Sequence, residues 1–510
     1  MRPRGPAHAL AYAFGAAVLG ALHSVVFVQL AAWPVQMVIV GVVATVGSRL
    51  TPWASARFGW IFATSWLACG IWWLFISMHR YGGLPAWLSV LAIVLLCGFL
   101  SLYMALALGL FARLRGHSAW RGAVLFAALW LLAEVARGAL FTGFPWLASG
   151  YAHVQSPWAV LAPWVGVYGI GCVAAFVAAW VALGWARGGR ERAVALVAAA
   201  LALGACTAWG PAQYTRPVGT LTVSLLQSQV SQDEKFDPER IPQALDWARS
   251  QLLAAPGDLV VAPETVIPLL PADLDPQYWA SIVAHFHDGT QGAVLGLPLG
   301  NEEVGYTNSA VGISAATRTD PQGYYRYDKH HLVPFGEFIP DGFKWFTRLM
   351  NIPLGDFNRG PVGAPSFAFR DERIGVNICY EDLFGEELAE RFDDGARAPT
   401  LFANISNIGW FGDTIAVEQH LQISRMRALE FQRPMLRATN TGPTVVIDAQ
   451  GHVDAALAHA ARGVLNGTVQ GRSGLTPYAR WACAFGLWPL VLAALVMVLL
   501  SAAPQPARRR

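Results

Sequence analysis

Residues 373–382 read RIGVNICYED, a short Ile- and Val-bearing run that ends on Cys379 and turns at once into carboxylates. Such a run between turn-forming residues predicts a buried strand. EDLFGEELAERF, at 381–392, follows it as a candidate helix. A thiol at a strand-to-helix turn is exposed, and a helix N-terminus favours the thiolate. This reading makes Cys379 a nucleophile of depressed pKa, although the same strand would serve equally well for a buried structural cysteine.

Six further runs of the same kind surround it: LTVSLLQ (221–227), DLVVAPE (258–264), AVLGLPL (293–299), SAVGIS (309–314), TLFANIS (400–406) and TVVIDA (444–449). Stretches 239–254, 276–287 and 415–433 carry helical patterns, the last ended by Pro434. Strands alternating with helices predict an α/β sandwich, helices covering sheet, over residues 211–480. Arg425, Arg427, Glu430 and Arg433 fall on one of these helices and are expected to form ion pairs along it.

Outside that region the chain is nearly uncharged. With 55% hydrophobic and only 14% charged residues among 510, and with 21 tryptophans, it is too apolar for an ordinary globular enzyme. Crossing hydrocarbon takes about 20 apolar residues, which places about eight spans at roughly 9–28, 31–48, 58–78, 86–112, 119–137, 160–185, 192–209 and 481–501. Seven of them form a helical membrane domain over 1–210, and the eighth, with a basic tail, occupies 481–510. The basic start MRPRGPAH reads as the flank of an uncleaved first helix. Arginines 2, 4, 49, 57, 113, 115, 121, 187, 190, 192 and 508–510 all fall on one side of this arrangement, against Arg80 and Arg137 on the other. The excess marks the cytoplasmic side, so both termini are expected there and residues 211–480 outside. A formal net charge of +3 shows no basic face for nucleic acid. Of six cysteines only Cys379 lies outside or away from apolar segments, and no CxxC pair or disulfide framework is present.

Two more segments supply partners for a thiol. Glu264 follows a buried strand in APETVIP, where a carboxylate is costly without a partner or a task. Lys329 and Glu337 flank a Pro-Gly-aromatic loop in YDKHHLVPFGEFIP. Each has an ordinary alternative as a rim carboxylate, a solvated lysine or a surface ion pair. Together with Cys379 they offer a base, a cation and a nucleophile, the set needed for acyl transfer through a thioester.

Those three motifs, in this order, resemble the nitrilase superfamily of carbon–nitrogen hydrolases. The resemblance continues through FANISNIGWFGD (402–413) and RMRALEFQRPMLRATNTG (425–442), although NIGW at 407–410 stands where that pattern often has Asn-Asp-Ala-Trp. With the spans added, the whole chain resembles the apolipoprotein N-acyltransferase family of bacterial inner membranes. RYGGLPAW (80–87), FTGFPWLASGY (141–151) and GVYGIG (166–171) are similar to that family's membrane-edge motifs. The resemblance implies an α-β-β-α nitrilase-like fold with Glu264 as general base, Lys329 as oxyanion donor and Cys379 as acyl carrier. It makes Glu337 a support for Lys329, and Tyr380 and Glu381 shapers of the turn around the thiol. Phe236, Trp410 and the FPW run Phe144, Pro145 and Trp146 would meet lipid. It further implies two membrane-borne partners, a phospholipid acyl donor and a diacylated apolipoprotein acceptor, and no cofactor or metal.

Two other classes stay in view. A membrane-tethered amidase would use the same three residues with water as second acceptor and would release ammonia. A non-enzymatic lipid carrier should line a path with intramembrane charge, and apart from Glu134 and Arg137 the spans hold little. The GxGxxA spacing at Gly169, Gly171 and Ala174 lies in a span with no strand before it, so no dinucleotide site follows. His285 with His287, and His330 with His331, lack further ligands at metal-binding spacing.

Overall fold

The computed structural model describes residues 6–210, 212–339 and 357–502. Arg2, Arg4, Arg508 to Arg510 and Pro340, which the sequence reading used, lie outside the described residues. The chain divides into two compact units, one comprising 1–72, 87–212 and 485–510, the other 73–86 and 213–484.

In the first unit each apolar stretch is helical. Leu30–Arg49, Ala86–Leu114, Ala119–Thr142, Pro157–Arg187 and Gly189–Trp209 are long and apolar enough to cross a membrane. Two bent pairs pass the same test together, Pro52–Gly70 with Leu74–Tyr81 at 64°, and Pro477–Phe485 with Trp488–Ala502 at 91°. That makes five to seven candidate spans among the described residues, and Leu10–Val25 is a shorter apolar helix. The stretch read as one span at 58–78 is therefore broken near residues 71–73, and its second half clusters with the other unit. Inside the first unit Glu134 is fully buried, with Oε1 accepting from Ser149 N and Oγ at 2.7 Å each. Arg137 donates to Phe144 O at 2.9 Å and Trp146 O at 2.6 Å, tying down the FPW turn.

The second unit is a sandwich of two six-stranded sheets. The strands are β1 (Arg216–Gln227), β2 (Leu259–Val261), β3 (Gly292–Asn301), β4 (Gly305–Ile313), β5 (Tyr325–Asp328), β6 (Phe367–Phe369), β7 (Glu372–Ile378), β8 (Leu401–Ser406), β9 (Met435–Thr439), β10 (Val445–Ile447), β11 (Val453–Ala456) and β12 (Gly463–Ser473). Their orders are β12-β1-β2-β3-β4-β5 and β11-β10-β9-β8-β7-β6. β1-β2-β3 and β7-β8-β9 pair in parallel, and the outer strands are antiparallel. Period-2 alternation puts Val223, Leu259, Val261, Val294, Ile374, Val376, Ile378 and Ile405 between the sheets. The opposite faces are covered. Val260, Ala293 and Leu295 pack with Ala248, Leu252, Ile282 and Phe286 of helices Ile241–Ala254 and Pro276–Asp288. Phe402 and Met435 pack with Leu421, Ala428, Phe431 and Tyr478 of helices Ile415–Phe431 and Pro477–Phe485. The result is the expected α-β-β-α layering.

One expectation fails here and another is met in part. Residues 381–392 do not form one helix but short turns at Cys379–Leu383, Gly385–Ala389 and Glu390–Phe392. The Glu381 side chain caps the first of these turns, accepting from Ile378 N at 2.7 Å. Of the ion pairs expected along helix Ile415–Phe431 and its C-terminal flank, Arg427 with Glu430 is present, at 2.9 Å and fully buried. Arg433 donates instead to Pro399 O (2.5 Å) and Gly474 O (2.6 Å), and Arg425 to Gly451 O (2.6 Å).

Candidate active site

The chain leaves β2 through Ala262 and Pro263 and delivers Glu264 under β3. Gly296 makes room, since a Cβ there would stand 2.7 Å from Glu264 Cα. Thr265 next to it holds φ +51°, a left-handed conformation costing about 1–3 kcal/mol that persists only where the surroundings impose it. Lys329 comes directly off β5, with its N–H donating to Asn308 O at 2.9 Å. Gly360 crosses behind it, donating to Lys329 O at 2.9 Å; a Cβ there would collide with Asp328 O. Cys379 comes off β7 with φ +52°, so the thiol is presented on a strained elbow.

Glu264, Lys329 and Glu337 are all buried and share one hydrogen-bond cluster. Lys329 Nζ donates to Glu337 Oε1 (2.9 Å) and reaches Glu264 Oε1 (3.4 Å). Asn308 Nδ2 bridges the two carboxylates at 2.7 Å from Glu264 and 2.6 Å from Glu337. Asn407 N donates to Glu264 Oε2 at 2.8 Å, and Val333 N to Glu337 Oε2 at 2.8 Å. Burial works against the charge on Glu264, but Lys329, the Asn308 amide, Lys235 and the Asn407 N–H together hold its carboxyl below the ordinary value. Burial also opposes the charge on Lys329, yet Glu337 and Glu264 outweigh it and raise its pKa. Glu264 is thus a carboxylate and Lys329 an ammonium at neutral pH.

The thiol does not follow the sequence expectation. Burial first, and then the negative charge of Glu264, push Cys379 up to about 12, while Lys329 and Ser406 pull the other way. The elbow opens only a five-residue 3-10 turn, Cys379–Leu383, too short for its dipole to outweigh burial. The arrangement instead sets a protonated thiol against an ionised carboxylate, the state in which Glu264 can accept the proton as Cys379 attacks.

Glu381 holds the elbow to the lysine loop. Its carboxylate accepts from Ile378 N (2.7 Å), His330 N (2.7 Å), His331 N (3.1 Å) and both ways from Tyr327 OH (2.8 Å). Tyr380 is buried between His331 and Phe384, with ring centroids at 5.7 Å and 5.3 Å. Beneath the elbow, Asn404 Nδ2 and His420 Nε2 each lie 3.2 Å from Cys379 O. Asp382, Ser424 and Arg437 complete that buried layer, Arg437 Nη2 donating to His420 Nδ1 at 2.8 Å.

The remaining residues singled out in the sequence are spread more widely. Trp410 is half-buried after β8, its ring edge-on to Tyr81 at 5.6 Å. Neighbouring Phe411 packs on Trp73 at 4.3 Å, so segment 73–86 supports the loop that follows Asn407. Phe236 is half-buried at the end of the turn Gln232–Lys235. Phe144, Pro145 and Trp146 belong to the other unit, where Pro145 and Trp146 are buried. Sequence reading missed Asn308 and Lys235. The signal for Asn308 was a polar residue, in TNSAVGIS, aligned with the start of an otherwise apolar strand; Lys235 in EKFDPER offered none, since a charged turn reads as solvated.

Comparison with known proteins agrees over both units. Residues 19–180 match the apolipoprotein N-acyltransferase N-terminal domain, and 222–478 match the carbon-nitrogen hydrolase domain. The chain is 53% identical over 462 residues to an apolipoprotein N-acyltransferase of Verminephrobacter eiseniae, spanning 86% of this chain and 85% of the relative. It is 45% identical to the enzyme of that name from Ralstonia nicotianae, over 94% of this chain and 92% of the other. Among solved structures, an amidase from Nesterenkonia sp. is similar at 16% identity and a TM-score of 0.36, covering 51% of this chain and 92% of the amidase.

Proposed function

This chain belongs to the apolipoprotein N-acyltransferase family, is a membrane-integral acyltransferase acting on lipoproteins, and we propose that it works through a thioester on Cys379. In the first half-reaction Cys379 Sγ attacks the acyl carbonyl of a phospholipid. The thiol proton passes to Glu264 and on to the departing lysophospholipid oxygen. In the second, the α-amine of a diacylglyceryl-modified N-terminal cysteine attacks the thioester, the C–N bond forms and the C–S bond breaks. Glu264 carries the amine proton back to the sulfur. Lys329 steadies the oxyanion of both tetrahedral intermediates, and Glu337 keeps its ammonium in place. Phe236 and Trp410 contact acyl chains, as does Phe144, the one ring of the FPW turn that is not buried.

In this reading residues 1–210 and 481–510 form the membrane domain, 211–480 work on the outer face of the inner membrane, and both termini are cytoplasmic. The observation that carries the proposal is a buried Glu264 carboxyl bound by Asn308 and Asn407, with Lys329 Nζ between it and Glu337, in one pocket with the Cys379 elbow. Purified protein given phospholipid alone should carry a fatty acyl group on the Cys379 peptide by mass spectrometry. A diacylated lipopeptide with a free α-amine should discharge it, and an N-acetylated one should not. Acyl transfer undiminished in Cys379→Ala would defeat the thioester route. Hydrolysis of small amides by the wild-type chain at rates matching its lipid turnover would favour the amidase instead.

A further inference from the structure

Lys235 is 5% exposed, on the short turn Gln232–Lys235. Its ammonium donates to the backbone carbonyl of Glu264 at 3.0 Å, and among the described residues this is its one hydrogen bond. The turn is anchored at its start: Asn407 Nδ2 donates to Gln232 Oε1 at 2.9 Å, and Arg80 pairs with Asp233. A buried ammonium with one bond to a neutral carbonyl is costly, and the chain retains it here within electrostatic reach of the Cys379 thiol.

A charge count suggests why. Glu264 and Glu337 bring two carboxylates and Lys329 one ammonium, which both carboxylates already engage. Beneath the elbow Arg437 is set against Asp382, so without a second cation in front the pocket is negative, which opposes any negative charge on sulfur. Lys235 interacts electrostatically with both Glu264 and Cys379, and no carboxylate lies in an ion pair with it among the described residues. We propose that Lys235 is the second cation of the active site, an electrostatic positioning residue whose uncompensated ammonium favours negative charge on the Cys379 sulfur and holds the Glu264 backbone beneath it. The part played by that charge in acyl transfer rests on the thioester reading; its effect on the thiol does not.

Burial lowers the Lys235 pKa to about 8, with Glu264 and Cys379 opposing the drop. The ammonium is therefore present below that pH and lost as pH rises through it. The other charged or titratable groups around the sulfur are Glu264, Lys329 and Glu337 in front and His420, Asp382 and Arg437 beneath, and the variants below leave them all in place.

The test is alkylation of Cys379 by iodoacetamide in the full-length protein in detergent, followed by mass spectrometry of the Cys379 peptide from pH 6 to 10, without any lipid substrate. Lys235→Gln keeps a donor for Glu264 O and removes the charge. It should react about tenfold more slowly than wild type at pH 7, the effect of about one pKa unit on the thiol. The two rates should converge above about pH 9, where wild type has lost the ammonium. Lys235→Arg should stay within about threefold of wild type at pH 7 and should not converge with Lys235→Gln. Equal rates for wild type and Lys235→Gln at pH 7 would overturn the proposal, as would a slow Lys235→Arg or a deficit that persists unchanged to pH 10. Melting temperatures are followed in parallel, and a Lys235→Gln chain that melts early with the wild-type alkylation profile also counts against it. Since no acyl transfer is measured, failure of the thioester mechanism and failure of this inference are read separately.

Discussion

Helices Ile415–Phe431 and Gly189–Trp209 invert one another. The first, IAVEQHLQISRMRALEF, is full of charged and amide side chains, yet Ala416 to Phe431 are buried apart from Glu418. The second, GRERAVALVAAALALGACTAW, is apolar and buries only Ala195, leaving Leu201 68% exposed. In water either would be a defect. The polar helix is tolerated inside because its side chains meet partners from distant strands and loops, as when His420 and Ser424 reach Asp382 at 2.9 Å and 2.5 Å. An exposed apolar helix is stable when its solvent is hydrocarbon and its backbone bonds are internal. What decides a residue's place is therefore the partner or solvent it meets, and its own polarity says less.

That contrast can be tested most severely in the front cluster, where satisfied burial and chemical work coincide. Glu264→Gln keeps shape and most hydrogen bonds but cannot take a proton. Thioester formation should fall by a factor on the order of 10²–10⁴ with the melting temperature little changed; a variant that loses its fold before its rate would class Glu264 with the structural polar groups. The platform under the elbow should behave the opposite way. Arg437→Met leaves Asp382 and the Nδ1 side of His420 without their buried cation, a loss of about 3–5 kcal/mol, or roughly 10 °C in a detergent melting curve. An unchanged curve would mean that the buried layer is not held by its charge. The mildest change is expected at the apolar helix: Leu201→Lys should cost about 2.5–3.5 kcal/mol of insertion if the site lies mid-membrane, and Leu201→Phe almost nothing. A topology reporter placed after Trp209 reads this directly, and equal insertion of both variants would take that helix out of the hydrocarbon.

Much of the molecule was legible from local pattern. The six runs flanking RIGVNICYED all prove to be strand, because short buried strands announce themselves by Val, Ile and Leu between turn-formers. β9 escaped notice, since MLRAT places Arg437 in a central strand, where only a distant Asp382 and His420 make an arginine acceptable. β12, GVLNGTVQGRS, was hidden by its exposed, glycine-bearing pattern and is a strand because β1 pairs with it along its length. Glu264, Lys329 and Cys379 stood out by residue type after buried runs. Their meeting could not be read from separations of 65 and 50 positions.

The sequence by itself determined which stretches seek hydrocarbon, which seek a sheet, and which three motifs carry a base, a cation and a thiol, because these depend on side-chain type and a short period. Tertiary structure alone decided the protonation of the site. A long helix after Cys379 would favour its thiolate, but only the five-residue 3-10 turn Cys379–Leu383 follows, with Glu381 bound to Ile378, Tyr327, His330 and His331. Burial and the carboxylate of Glu264 then keep the proton on sulfur. Those influences come from groups far apart along the chain and act through a desolvated pocket, where the sign of a nearby charge outweighs any local preference of the sequence.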